Sequence, residues 1–249
     1  MKNLVLLFSV LVTLSSCNFY KPAMIHAPVI EEKGELNLGV STGNGTDVAA
    51  SYAITNHLAV TSSFTSNWNI TSTTTTPAGE EQKFIAKNFK YDAAIGYFNS
   101  EENSFNYNFF AGYSAGQTGA IIDIQNDIIF LDELYVSAKY NSFFLQGGGF
   151  TNIGDKNYIG VIAKVSALEF SNFRYSTILS VTSNYYPSDV TQTVGQAGIQ
   201  YNYKGQKFGF LGQVQYAFTD SSDKYFTLRK WGVHVGAYFR FNEMFKKNN

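Results

Sequence analysis

Residues 231–241 read Trp231-Gly232-Val233-His234-Val235-Gly236-Ala237-Tyr238-Phe239-Arg240-Phe241. Trp231, Val233, Val235, Ala237, Phe239 and Phe241 fall at every second position, and Gly232, His234, Gly236 and Arg240 fall between them. A repeat of two is the period of a β-strand, whose successive side chains point to opposite faces. One face of this strand is therefore greasy and the other is small or polar.

The same alternation recurs at 36–40, 48–54, 58–64, 89–97, 105–113, 134–140, 143–149, 159–165, 174–181, 197–203 and 208–218. With the last strand this predicts about twelve strands. Tight connections are expected at 56–57, 99–104, 141–142, 169–172 and 204–206, and longer polar ones at 71–82, 119–127, 183–193 and 219–224. Short and long connections alternate, as the two ends of an up-and-down barrel require. The short links at 43–45 and 153–157 are exceptions on the long-loop side. The expected fold is all-β: an antiparallel up-and-down transmembrane β-barrel over residues 34–249.

Alternation alone does not say which face looks outward, because a soluble barrel has the same period with a greasy lumen. Two features choose lipid. The polar face is mostly Gly, Ser, Asn, Gln and Thr, whereas a water-washed exterior carries more Lys and Glu. Aromatics also crowd the strand ends, as at Tyr97, Phe105 and Tyr107, at Tyr140 and Phe143, at Tyr201, Tyr203, Phe208 and Phe210, and at Phe218 and Trp231. Such girdles mark membrane interfaces.

The N-terminus is a targeting signal. Lys2 precedes an apolar run over 4–14, about half the ~20 residues of a spanning helix. The run ends in Leu14-Ser15-Ser16-Cys17, which resembles the lipobox of bacterial lipoproteins. That resemblance implies a signal peptide over 1–16 and a covalent lipid, palmitate included, on Cys17. Each buried CH₂ of such chains contributes ~0.8 kcal/mol to anchoring. Asn18 follows Cys17, not the Asp linked to inner-membrane retention. No Lys-Asp/Glu-Glu cluster of the kind linked to surface display follows, so the anchor is expected in the periplasmic leaflet of the outer membrane. Residues 17–33 are expected as a periplasmic tether, broken by Pro22 and Pro28 and solvated by Glu31, Glu32 and Lys33.

Residues 17–55 resemble the start of small outer-membrane β-barrel lipoproteins common in Bacteroidota. The carrying residues are Cys17, Tyr20, Pro22, Pro28, Lys33-Gly34-Glu35 and the run from Ala49 to His57. The resemblance implies an outer-membrane address and a barrel, and no established activity. It also implies dependence on barrel-assembly and lipoprotein-sorting machinery, with outer-membrane lipid as the surrounding partner.

A net charge of −1 offers nothing to nucleic acid. Cys17 is the single cysteine, which rules out internal disulfides and cysteine-rich metal sites. Three histidines, His26, His57 and His234, are too few and scattered for zinc. No cofactor beyond the lipid on Cys17 is expected.

By parity the lumen should hold Lys90, Asp92, Glu133, Lys139, Lys164, Arg174, Lys207, His234 and Arg240. These are expected to pair with one another or meet lumen water. Glu35 and Arg240 lie at neighbouring ends of the first and last strands and should form an ion pair across the closure seam. A structural or interaction barrel without catalysis is the leading expectation. A narrow small-solute channel, tuned by those charges, is the alternative. A lipid hydrolase is the third, although His234 has no serine two residues away.

Overall fold

The structure, a computed structural model, describes residues 20–75, 81–100, 105–125, 131–177, 190–220 and 228–241, excepting side chains at 68–75, 81–87, 120–125, 131–135 and 173–177. The described strands are β1 (Leu36–Thr42), β2 (Thr46–Ala53), β3 (Leu58–Thr75), β4 (Glu81–Asn99), β5 (Asn106–Gln125), β6 (Leu131–Asn152), β7 (Asn157–Thr177), β8 (Val190–Lys204), β9 (Phe208–Thr219) and β10 (Trp231–Phe241). Each pairs antiparallel with its chain neighbour, and β1 pairs with β10 from Leu36↔Phe241 to Thr42↔Val235. The sheet closes into a barrel, so each described strand has a neighbour on both sides over part of its length.

Ten strands replace the expected twelve. The supposed turn at 141–142 lies inside β6, where Asn141 faces Glu169 and Ser142 faces Leu168. The supposed turn at 169–172 lies inside β7. There the register slips between Ser137 and Lys139, and Asn172 adopts φ 52°. Asn tolerates that left-handed conformation, and one extra residue on one strand makes a bulge, not a reversal. With both false turns removed, the link at 153–156 joins those at 54–57 and 205–207, and the end of β4 with the start of β5, on one end of the barrel. The opposite end carries the 43–45 turn and the far ends of the long strands.

The misreading has a cause. Apolar residues in β6 sit at odd positions near Phe143 and Leu145 but at even positions at Val136, Ala138 and Tyr140. A change of parity looks like a reversal of the chain. In the structure it marks a change of surroundings. Phe143 and Leu145 are exposed on the outward face, while Val136, Ala138 and Tyr140 are buried inside. Lys139 therefore points outward and is exposed, contrary to the lumenal position expected for it. β7 makes the same switch, from outward Ile159, Val161 and Val165 to buried Leu168 and Phe170.

The outward face forms an apolar belt. Val40, Val48, Tyr91, Ile95, Phe109, Phe143, Val161, Ile199, Phe210, Val214, Val235 and Phe239 are all exposed there. On β6 and β7 the outward belt covers about nine residues, the length of strand that crosses a bilayer. It ends at exposed Lys139, Asn141 and Glu169. Aromatics rim it at the short-turn end: His57 stacked on Tyr97, Tyr97 near Tyr107, and Phe208 tilted against Phe239 with centroids 4.4 Å apart. Towards the other end, Phe64 meets Tyr91 and Tyr216 meets Trp231. Gly148 and Gly149 make room for rings. A Cβ on Gly149 would collide with the Phe105 ring, and one on Gly148 would come within 2.8 Å of Phe150.

The described interior holds more than the wall's own side chains. The segment before β1, expected as a free tether, runs through the lumen. Tyr20, Pro22, Ala23, Met24, Ile25, Ala27, Val29 and Ile30 are buried. Tyr20 bridges Leu228 just ahead of β10, and Glu31 reaches Arg240 near the other end of that strand. The segment thus runs the length of β10.

Candidate functional site

A peptide threaded through a barrel brings backbone groups that can no longer reach bulk water. Each needs a partner, because a buried unsatisfied carbonyl costs about 1–3 kcal/mol. The lumen wall supplies most of them. The Tyr20 carbonyl accepts from the Arg229 amide at 3.0 Å. Asn67 Nδ2 donates to Lys21 O at 3.4 Å and Asn44 Nδ2 to Pro22 O at 3.1 Å. Ala23 O accepts from Gln196 Nε2 at 3.0 Å and from Gln215 Nε2 at 3.1 Å. Ile25 O accepts from the Ala27 amide. Gln146 Nε2 donates to His26 O at 2.6 Å, Gln200 Nε2 to Ala27 O at 3.1 Å, and Asn108 Nδ2 to Pro28 O at 2.9 Å. Lys204 Nζ donates to Val29 O at 3.3 Å.

Most of these donors are side-chain amides from β3, β5, β6, β8, β9 and the β1–β2 turn. An amide presents N–H donors without a charge to desolvate, which suits a carbonyl row in a closed interior. Pro22 and Pro28 fit the same demand, since neither has an N–H in need of an acceptor. Sequence reasoning treated this polar face as generic lumen lining. The available signal was its chemistry: the inward positions favour Gln and Asn over charged residues.

Apolar side chains of the segment pack against inward-facing rings. Tyr20 meets Tyr140 edge-on at 5.5 Å and Phe170 at 6.4 Å, within a cluster holding Val136, Ala138, Leu168 and Val194. Ile25, Ala27 and Val29 pack on Phe150, Tyr158 and Ile162. Ile30 joins Phe98, Phe110 and Phe144. Burying one such large side chain is worth about 1.5–3 kcal/mol.

Of the expected lumenal charges, three come together. Asp92 Oδ2 lies 2.8 Å from Lys90 Nζ and 3.0 Å from Lys164 Nζ, with both ammonium groups buried. Lys164 Nζ also sits 3.7 Å from the Phe144 ring centroid, a cation–π contact that helps to hold the second positive charge. Glu133 and Arg174 have side chains outside the described residues, and so does Cys17. Lys207 is exposed in the 205–207 turn.

At the seam, Arg240 Nε donates to Glu35 Oε1 at 3.2 Å, and Lys204 Nζ lies 3.5 Å from the same oxygen. Asn37 Nδ2 and the Glu31 amide complete the Glu35 shell, at 3.0 and 2.9 Å. Glu31 closes the outside of the cluster, 2.9 Å from Lys204 and 3.4 Å from Arg240. Burial would raise the Glu31 carboxyl, but Lys204, Tyr158 and Arg240 outweigh it and hold the group below the usual carboxylate range. The clasp joins three parts of the chain: the last strand, the start of the first, and the end of the threaded segment.

His234 is buried in the wall with its Nδ1 3.9 Å from Asp47 Oδ2. Asp47 instead takes hydrogen bonds from Thr65 Oγ1 at 2.5 Å and Ser41 Oγ at 3.4 Å. A hydrolase needs the imidazole between serine and carboxylate. Here the carboxylate stands between Ser41 and the ring. Among the described residues no cluster of three or more His, Cys, Asp or Glu could hold a metal ion.

Comparison with protein-family models and with curated proteins finds no match. Among solved structures, the chain is similar to the crystal structure of the P. putida toluene transporter TodX, with a TM-score of 0.41 and 8% identity over 84% of this chain and 89% of that one.

Proposed function

We propose that this chain is an outer-membrane β-barrel lipoprotein with a structural or interaction role, its lumen stoppered by residues 20–30 and no catalytic step. The carrying observation is the set of wall side chains that hold the carbonyls of Lys21, Pro22, Ala23, His26, Ala27, Pro28 and Val29. A diffusion path needs a continuous water column. A segment fixed along the lumen by that many donors, and packed on Phe150, Phe110 and Tyr140, occupies the column.

The outward belt supports the membrane address. Monomeric soluble proteins rarely expose a contiguous apolar patch beyond a few hundred Å², and here one encircles the barrel. The polar groups are inside, the reverse of a soluble barrel. On this reading the signal peptide over 1–16 is removed and Cys17 carries the lipid. Barrel-assembly and lipoprotein-sorting machinery are the transient partners.

Reconstituted in a planar bilayer, the full-length protein is expected to insert without steady conductance. Reproducible ohmic steps from the wild-type protein would restore the narrow-channel reading and remove the stopper from the account.

A further inference from the structure

The direction in which residues 20–35 run fixes where the chain ahead of them must lie. Entering the barrel wall at β1, the chain starts from the short-turn end, where Glu35 meets Arg240. Followed backwards, Val29 is held by Lys204, Ala27 by Gln200, Ala23 by Gln196 and Gln215, and Tyr20 by Arg229. Along β8 the partners climb from Lys204 to Gln196, away from the short-turn end. Tyr20 is thus at the opposite end, beside Leu228 and below the long arms of β6 and β7.

Outer-membrane barrels place short turns in the periplasm and the longer ends outside. Ten extended residues span ~33 Å, about the thickness of a bilayer's hydrocarbon core. Cys17 is three residues ahead of Tyr20. Three residues reach at most ~10 Å, so Cys17 cannot return to the leaflet at the short-turn end. The opposite leaflet is close, because the wall is lowest where the segment leaves. Lys21 and Pro22 are held by Asn67 and Asn44, beside the 43–45 turn that ends the two shortest strands.

We propose that the N-terminal segment is threaded outward through its own barrel, so that Cys17 and its lipid lie in the outward-facing leaflet at the cell surface. This replaces the periplasmic-leaflet anchor expected from the sequence, and it rests on the outer-membrane reading above. The segment then has two tasks: it fills the lumen, and it carries the anchor across the membrane.

The test places a short epitope between Asn18 and Phe19 of the full-length protein, and separately after Asn249, and compares antibody binding to intact and outer-membrane-permeabilised cells. The N-terminal epitope is expected to bind equally in both states, and the C-terminal one to gain at least tenfold on permeabilisation. An N-terminal epitope that gains on permeabilisation as the C-terminal one does overturns the threading. Phe19→Cys, labelled with a membrane-impermeant maleimide, gives the same comparison without lengthening the segment. Unboiled and boiled samples of each protein are run on a gel alongside. A protein that shifts on boiling yet hides its N-terminal reporter sinks the threading alone. One that never shifts sinks the barrel reading on which it rests.

Discussion

Val161→Arg is expected to destabilise the folded protein by about 2–4 kcal/mol, the cost of a cation on the lipid face near the bilayer midplane. Val161 sits mid-way along the outward apolar run of β7, 66% exposed, between Gly149 on β6 and Ile199 on β8. Were that face in water, the same substitution would remove little burial and add a solvated charge, for a change within about 0.5 kcal/mol. The two environments thus differ several-fold in expected cost at one position. Urea titration of protein folded into lipid vesicles reads it. Lys139→Arg is the control: it is also outward and exposed, but beyond the belt, and should be neutral.

Glu35→Ala is expected to cost about 3–5 kcal/mol, the penalty for stranding buried partner charges. Glu35 is fully buried, and its carboxylate faces Arg240 and Lys204 while also accepting from Asn37 and the Glu31 amide. Removing it leaves a guanidinium and an ammonium at the closure seam with only the partly exposed Glu31 carboxylate between them. Glu31→Ala removes a carboxylate from the same cluster, but its side chain is 38% exposed. Solvent screens that pair, and a loss of at most about 1 kcal/mol is expected. A larger loss from Glu31 than from Glu35, in the same titration, would assign the clasp to the threaded segment and not to the seam.

The outward face was legible in the sequence because it follows one rule: apolar side chains every second residue. Val233, Val235 and Phe239 obey that rule and are exposed on the outward face. The strand count was not legible, because the interior obeys two rules. Where the wall meets segment carbonyls it carries Gln196, Gln200 and Gln215. Where it meets Tyr20 or Ile30 it carries Tyr140, Phe170 and Phe110. The apolar parity therefore flips within β6 and β7, and a flip reads as a turn. The threading itself left a fainter trace. Ala23, Ile25, Ala27 and Val29 show the alternation of a buried extended segment, but Pro22, Pro28 and three charged residues beside it suggested a solvated tether.

The most direct measurement uses full-length protein with Cys17→Ser, so that no acyl chain contributes. It is folded in detergent micelles and then dialysed into buffer without surfactant. The account predicts a compact unboiled band that shifts on boiling while micelles are present, and loss of the protein to aggregate once they are gone, because the belt from Val40 to Phe239 has no other solvent. A monomer that stays folded and dispersed in plain buffer would contradict the claim that this face meets lipid.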